Sequence, residues 1–333
     1  MIRKTGMFAA AAAAAILSAG SAAQAADEIT VAYFLEWPMP FQYAKVNGTY
    51  EEEMGVDINW VSFDTGTAMS AAMASGDVQI AVSQGVPPFV VATSAGQDLK
   101  IVDVAVSYSE NDNCVVADAL EIDQSNAADL AGKKVGVPIG TAAHYGFLEQ
   151  MNHFGVDVAS MEIVDMAPAE GAAAFEQGSL DMVCGWGGAL RRMKENGNVL
   201  LTGAEKEELG ILVFDVTSAP ADFVAENPDL LASFLKVTAD ANAKWNAGDS
   251  RDEMLPVIAG DAGMDVEATA ATIDTFVFPS LDEQLSNKWL GGGAQEFMLG
   301  VAGVFKDAGS IPSALETYSD AVDASPLETA SGL

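Results

Sequence analysis

Three acids stand where this sequence has little reason to keep a charge: Glu36 just after the apolar run of EITVAYFLEW, Asp112 in the polar stretch SYSENDN, and Asp215 inside the apolar run LVFDVTS. A carboxylate desolvated without a partner is costly, so an ammonium group is the partner expected of them. Aromatic faces from Trp37, Trp186 and Tyr145 would then cover methylene or N-alkyl groups and add cation–π attraction. Each residue also has a plainer reading. The tryptophans fit core packing, Glu36 fits a solvated loop acid, and Asp215 fits a hydrogen bond to backbone at a hinge.

The complementary charge has its own candidates. Thr65-Gly66-Thr67 and the segment from Gly140 through Thr141, Ala142 and His144 to Tyr145 each follow a strand and open a helix. A helix start offers unpaired N–H groups and the positive end of the helix dipole, so a sulfonate or carboxylate can be held there without an arginine. Ordinary N-capping by Thr67 and Thr141 accounts for either segment taken singly. Catalysis finds little support: the sequence lacks a Gly-x-Ser-x-Gly elbow, His-Glu-x-x-His, a Walker loop and a complete Gly-x-Gly-x-x-Gly after the first strand. His144 is a possible general base, but a helix start lowers its pKa and nothing evident orients it. We expect no enzyme, no cofactor and no metal site, since only His144 and His153 accompany Cys114 and Cys184 and their spacing matches no zinc pattern.

The elements that must position these residues are announced by an internal echo. Ala72 to Gly85 (AMASGDVQIAVSQG) and Ala173 to Gly188 (AAFEQGSLDMVCGWGG) both read helix end, Gly, Asp, short apolar strand and small polar loop. In an open α/β sheet the loops past the strands' carboxyl ends form the ligand crevice, so Ser83-Gln84-Gly85 and Trp186-Gly187-Gly188 are paired wall candidates. A common C-cap followed by a turn would also give this pattern. Strands are expected at 28–34, 57–63, 78–82, 101–106, 114–117, 134–137, 162–164, 182–185 and 211–216. Helices are expected at 41–54, 67–75, 144–154, 169–176, 228–247, 266–275 and 294–308, with Pro228 and Pro256 as helix starts. Alternation of the two implies a largely parallel sheet in an α/β fold. The simplest organisation is a discontinuous first lobe, 27–110 and 215–333, interrupted by a second, 111–214. The crossings near Ser107 and Asp215 then act as two hinges that permit closure.

Residues 1–26 read as an export leader: Arg3 and Lys4, an apolar run from Met7 to Leu17, and small residues ending at Ala25 or Ala26. No cysteine follows to take a lipid anchor, and no later apolar run is long enough to span a bilayer, so a soluble periplasmic protein is expected. The formal charge of −33 becomes −35 once Arg3 and Lys4 are removed, which makes nucleic acid and anionic membrane surfaces poor partners. Cys114 and Cys184 both sit in apolar runs; a disulfide forms if their strands are neighbours with Cα atoms within about 7 Å, and otherwise they are buried thiols.

Four segments together resemble a known family: FDTGTAMSAAMASGDVQIAVSQGVPP, DLAGKKVGVPIGTAAHYGFLEQMNHFGV, GSLDMVCGWGGAL and LVFDVTSAPADFVAENPDLLASF. In order and content they are similar to the taurine-binding proteins of ABC importers, relatives of the aliphatic sulfonate, nitrate and thiamine-precursor binders. The resemblance implies a type II periplasmic binding protein, a monomer of two α/β lobes closing over a small-molecule ligand and passing it to an inner-membrane permease. It implies that Thr65, Gly66, Thr67, Thr141 to Tyr145, Trp186 and Asp215 line the pocket, with Asp215 on the amine of an aminosulfonate and the helix starts on its sulfonate. Two departures bear on the ligand: Glu36-Trp37 stands where smaller, less charged residues are expected, and Gly187-Gly188 stands where Ala-Pro is expected. An extra acid and more room would suit an N-methylated taurine or a cationic amine. The family's enzyme-like branch, pyrimidine synthases of thiamine biosynthesis, relies on a Cys-rich motif that this sequence lacks.

Overall fold

The computed structural model describes residues 28–333, so the expected leader at 1–26 lies outside the described residues. Among the described residues, ten strands form two sheets. The first contains β1 (Glu28–Phe34), β2 (Asp57–Phe63), β3 (Ile80–Gly85), β4 (Leu99–Ser107) and β10 (Phe214–Pro220), in the order β2-β1-β3-β10-β4. The second contains β5 (Asp112–Ala117), β6 (Lys134–Val137), β7 (Glu162–Asp165), β8 (Met182–Trp186) and β9 (Gly197–Val199), in the order β7-β6-β8-β5-β9. Helices cover the sheet faces, which is why β3 is buried along its whole length and reads as an unbroken run of buried positions rather than an alternation.

The sheets are mixed, not largely parallel. β1 runs parallel to β2 and β3, but β10 lies antiparallel between β3 and β4. In the second sheet β6 runs parallel to β7 and β8, while β5 is antiparallel to β8 and β9. The intruder in each sheet is the first strand after a crossing, entering from the other sheet's side. The echoed segments supply β3 and β8, which occupy the same place in the two orders, third from the same edge and beside the intruder. The two crossings lie side by side: Phe214 pairs with Ser107, and the Tyr108 amide donates to the Val213 carbonyl at 3.0 Å.

Local chemistry explains the differences in element boundaries. The expected helix 41–54 is two, Phe41–Val46 and Thr49–Met54, because Gly48 between them takes φ 69°, a left-handed conformation that interrupts a helix. Pro256 does not start a helix but sits inside Arg251–Ala262, where the buried face of Met254, Ile258, Ala259 and Ala262 packs the turn on either side of it. The helix Val86–Ser94 and the short strand β9 lack an amphipathic signature and went unexpected; the former is buried at nearly every position. One continuous apolar cluster runs through both sheets, and a smaller one, including Val115, Phe175, Val183, Leu190 and Met193, fills the far face of the second. Among the described residues, no helix is long and apolar enough to cross a membrane.

Candidate functional site

Asp215 sits at the bottom of a cavity between the two sheets. Threading β10 antiparallel against β3 and β4 places it opposite Gly85 and Val106, with only 2% of its surface exposed. Ser83 Oγ donates to its Oδ2 at 2.7 Å, and the Tyr108 hydroxyl donates to its Oδ1. Ser83, at φ 60°, accepts in turn from Trp37 Nε1 at 2.9 Å. Burial pushes the Asp215 carboxyl up to about 8; the Tyr108 and Ser83 donors pull it down, and the charge of Asp112 adds to the rise. Such a carboxylate gains from a cation that enters the cavity with it.

Phe34, Gly66, Gly85, Pro88 and Tyr108 bound the cavity on the side of the first sheet, and Thr141, Ala142 and Trp186 on the side of the second, leaving a cavity volume of about 20 Å³. That is room for about one water, so a ligand of even a few heavy atoms enters only when the two sides part, a movement that paired crossings permit. Phe34 and Trp186 meet at the cavity as a tilted aromatic pair with ring centroids 6.0 Å apart. Two helices begin at the cavity. Thr65 caps Gly66–Ser75 by accepting from the Ala68 amide, and among the described residues the Gly66 and Thr67 amides have no acceptor. Thr141 caps Ala142–Phe154 by accepting from the His144 amide, and the Ala142 and Ala143 amides are likewise free. One end of the cavity therefore attracts a cation, and the helix starts attract an anion.

Of the residues singled out from sequence, Gly66, Gly85, Thr141, Ala142, Trp186 and Asp215 line this cavity. Thr65 and Thr67 stand just behind it, their hydroxyls 2.9 Å apart. Gln84 is spent on structure: its amide donates to Gly66 O and Ser70 Oγ, and its carbonyl accepts from Ser218 Oγ, all buried. Trp37 is not a wall but a second layer, buried against Tyr108 and Phe276. Glu36 points elsewhere as well, its carboxylate 2.8 Å from an Arg192 nitrogen, so it offers this cavity no free charge. Asp112 is buried opposite Trp186, and burial pushes it up to about 7 against the pull of Lys206, whose ammonium donates to the Asp112 carbonyl. His144 accepts from the Gly140 amide at 3.1 Å and stacks on Phe305; burial lowers it to about 4, so it is neutral and packs rather than binds. Tyr145 is buried edge-on to Phe297 and Phe305.

Sequence reasoning missed Phe34, Pro88 and Tyr108. Tyr108 had a readable signal, since it ends the same strand-to-crossing segment as its partner's hinge; the others are apolar or small residues with no distinguishing pattern. Cys114 and Cys184 face each other in the β5–β8 register and are joined by a disulfide, with Cα atoms 3.9 Å apart. No cluster of three or more His, Cys, Asp or Glu side chains that could hold a metal occurs among the described residues.

Comparison with known proteins agrees with this architecture. The chain is 26% identical over 301 residues to the taurine-binding periplasmic protein of Escherichia coli K12, covering 89% of this chain and 92% of that one. The alkanesulfonate-binding protein SsuA from Xanthomonas axonopodis pv. citri, solved bound to MOPS, superposes with a TM-score of 0.75 at 18% identity, over 90% of this chain and 99% of that one. The fold is that of type II periplasmic binding proteins. It also carries chemistry elsewhere, because the desulfurization enzyme DSZB superposes with a TM-score of 0.62 at 14% identity, over 92% of this chain and 99% of that one. The model of the family described as NMT1/THI5 like matches residues 38–246, and the chain belongs to that family.

Proposed function

We propose that this protein is a periplasmic receptor that delivers taurine or a closely related aminosulfonate to an inner-membrane ABC permease. The observation that carries the reading is the meeting, in one small cavity, of a buried carboxylate with two capped helix starts whose leading amides are free. A short zwitterion satisfies both ends at once. Its ammonium would pair with Asp215, its sulfonate oxygens would accept from the Gly66, Thr67, Ala142 and Ala143 amides, and Phe34 and Trp186 would cover its two carbons. Residues 27–110 with 215–333 and residues 111–214 would form the two lobes, closing about the paired segments at Ser107 and Phe214. The similarity to the E. coli taurine-binding protein over nearly its full length supports the same reading.

A receptor for a methylated or cationic amine is the alternative. It loses its main support once Glu36 is paired with Arg192, because Asp215 is then the acid that lines the cavity and the helix starts would face no anion. Isothermal titration with taurine, N-methyltaurine, an alkylsulfonate lacking the amine, and choline separates the two. Tight taurine binding that is lost without the amine supports the aminosulfonate receptor; choline binding with no taurine signal would replace it with a cation site. Steady turnover of any of the four would favour an enzyme.

A further inference from the structure

Glu36 and Trp37 form an elbow just past β1, and the elbow is bonded to both sides of the cleft. Glu36 takes φ 53°, a left-handed conformation that a non-glycine residue holds only when its surroundings impose it. Its amide donates to Ala262 O at 2.7 Å, fixing it to the first side. Its carbonyl accepts from the Gly188 amide at 3.1 Å, and its carboxylate accepts from Arg192 at 2.8 Å, both on the helix Gly187–Lys194 that follows β8. Gly187 is shaped to this approach: at φ 56°, a Cβ there would lie 2.5 Å from the Glu36 carbonyl oxygen and 3.0 Å from the Trp37 ring. From the same elbow Trp37 reaches back to Ser83, and Ser83 to Asp215.

We propose that the Glu36–Trp37 elbow is the latch that holds the cleft closed, and that Trp37 is a positioning residue tying the latch to Asp215 through Ser83. The inference rests on the reading of Asp215 as the ligand's ammonium partner. A hydroxyl has one proton to give. An ionised Asp215 accepts a hydrogen bond from the Ser83 hydroxyl, which fixes that hydroxyl with a lone pair aimed at the Trp37 N–H and sets the elbow against Gly187 and Gly188. A protonated Asp215 no longer offers that acceptor when its own O–H turns to Ser83, so the Ser83 hydroxyl must rotate and the elbow loosens. Ligand charge at the floor is thereby read as closure at the rim. Gly187-Gly188, the departure from the Ala-Pro expected after the tryptophan, serves close approach of the two sides rather than a roomier ligand site.

The test follows amide exchange at Gly188 in the intact protein, without and with saturating taurine, together with taurine association and dissociation rates. The half-exposed pair Glu36–Arg192 is worth about a threefold factor. Arg192→Gln should therefore speed Gly188 exchange and taurine dissociation by about that much, with association unchanged within about twofold. Trp37→Phe keeps the ring but not the N–H and should speed both in the same way; Gly187→Ala should exceed them. Gly188 exchange unchanged by Arg192→Gln and Trp37→Phe in both conditions overturns the latch. Should Gly187→Ala fail to fold, the other two variants still decide. Failure of the unaltered protein to bind taurine in calorimetry would sink the functional reading alone, since Gly188 exchange without ligand continues to report on the latch.

Discussion

The raised pKa of Asp215 makes ligand affinity depend on pH with a definite sign. In the ligand-free protein the carboxyl titrates near 8, so at pH 7 about nine-tenths of it carries a proton, and at pH 6 about 99%. A bound ammonium favours the ionised form and lowers this pKa, so binding at pH 7 must expel about 0.9 proton, at a cost of about 1.4 kcal/mol. Affinity should therefore rise about 50-fold from pH 6 to pH 8, flatten above 8, and fall again where the ligand amine loses its proton. Asp112, pushed up to about 7 and coupled to Asp215, broadens the transition without reversing it. The assay is titration calorimetry with taurine at pH 6, 7 and 8, repeated in buffers of different ionisation enthalpy so that the expelled proton is counted. Asp215→Asn should remove the steep part of the profile and weaken binding at pH 8 by roughly 2–5 kcal/mol, the loss of one partner of a buried charge pair. An affinity that is flat or declines from pH 6 to 8, or a proton taken up on binding, would refute the reasoning.

Three further outcomes follow from the same geometry. Asp103, Asp112 and Asp215 are all raised by burial from 3.8, to about 6, 7 and 8, so the folded state holds their protons more tightly than the unfolded chain does. Their contribution is fully present below about pH 3.8 and is lost as pH rises through 6, 7 and 8, so thermal unfolding of the ligand-free protein should move to lower temperature between pH 5.5 and 8.5, and Asp215→Asn should flatten the upper part of that decline. Reducing the Cys114–Cys184 bridge releases a 70-residue separation and should cost up to about 4 kcal/mol of stability by denaturant titration, with taurine still bound while the protein is folded. Trp186→Ala, which removes the aromatic wall paired with Phe34, should weaken taurine about tenfold by calorimetry while leaving the pH profile intact.

How much of this was legible in the sequence depends on the range of the interactions involved. Local signals carried far: β1, β2 and β6 are bounded by their apolar runs alone, and the helices expected from 67 and 144 begin close by, at Gly66 and Ala142, with Thr141 as the expected cap but Thr65 in place of Thr67. The echo of Ala72–Gly85 and Ala173–Gly188 foretold that β3 and β8 would hold equivalent places. Asp215 stood out because an acid in an apolar run needs a reason. What failed needs partners distant in sequence. The direction of β5 and β10 is set by which strands receive them, not by their own composition. Glu36 looked like a ligand acid because nothing local reveals Arg192, 156 residues away. Trp37 looked like an aromatic cover because its bond to Ser83 spans 46 residues, and His144 like a possible base because its stacking on Phe305 is equally remote.

The central claim is that one cavity grips both ends of an aminosulfonate, and a crystal structure of the protein grown with taurine tests it most directly. The account predicts the taurine nitrogen within hydrogen-bond distance of the Asp215 carboxylate, the sulfonate oxygens on the Gly66, Thr67, Ala142 and Ala143 amides, and the two carbons covered by Phe34 and Trp186. Taurine bound in the reverse orientation, bound away from Asp215, or not bound at all would contradict it.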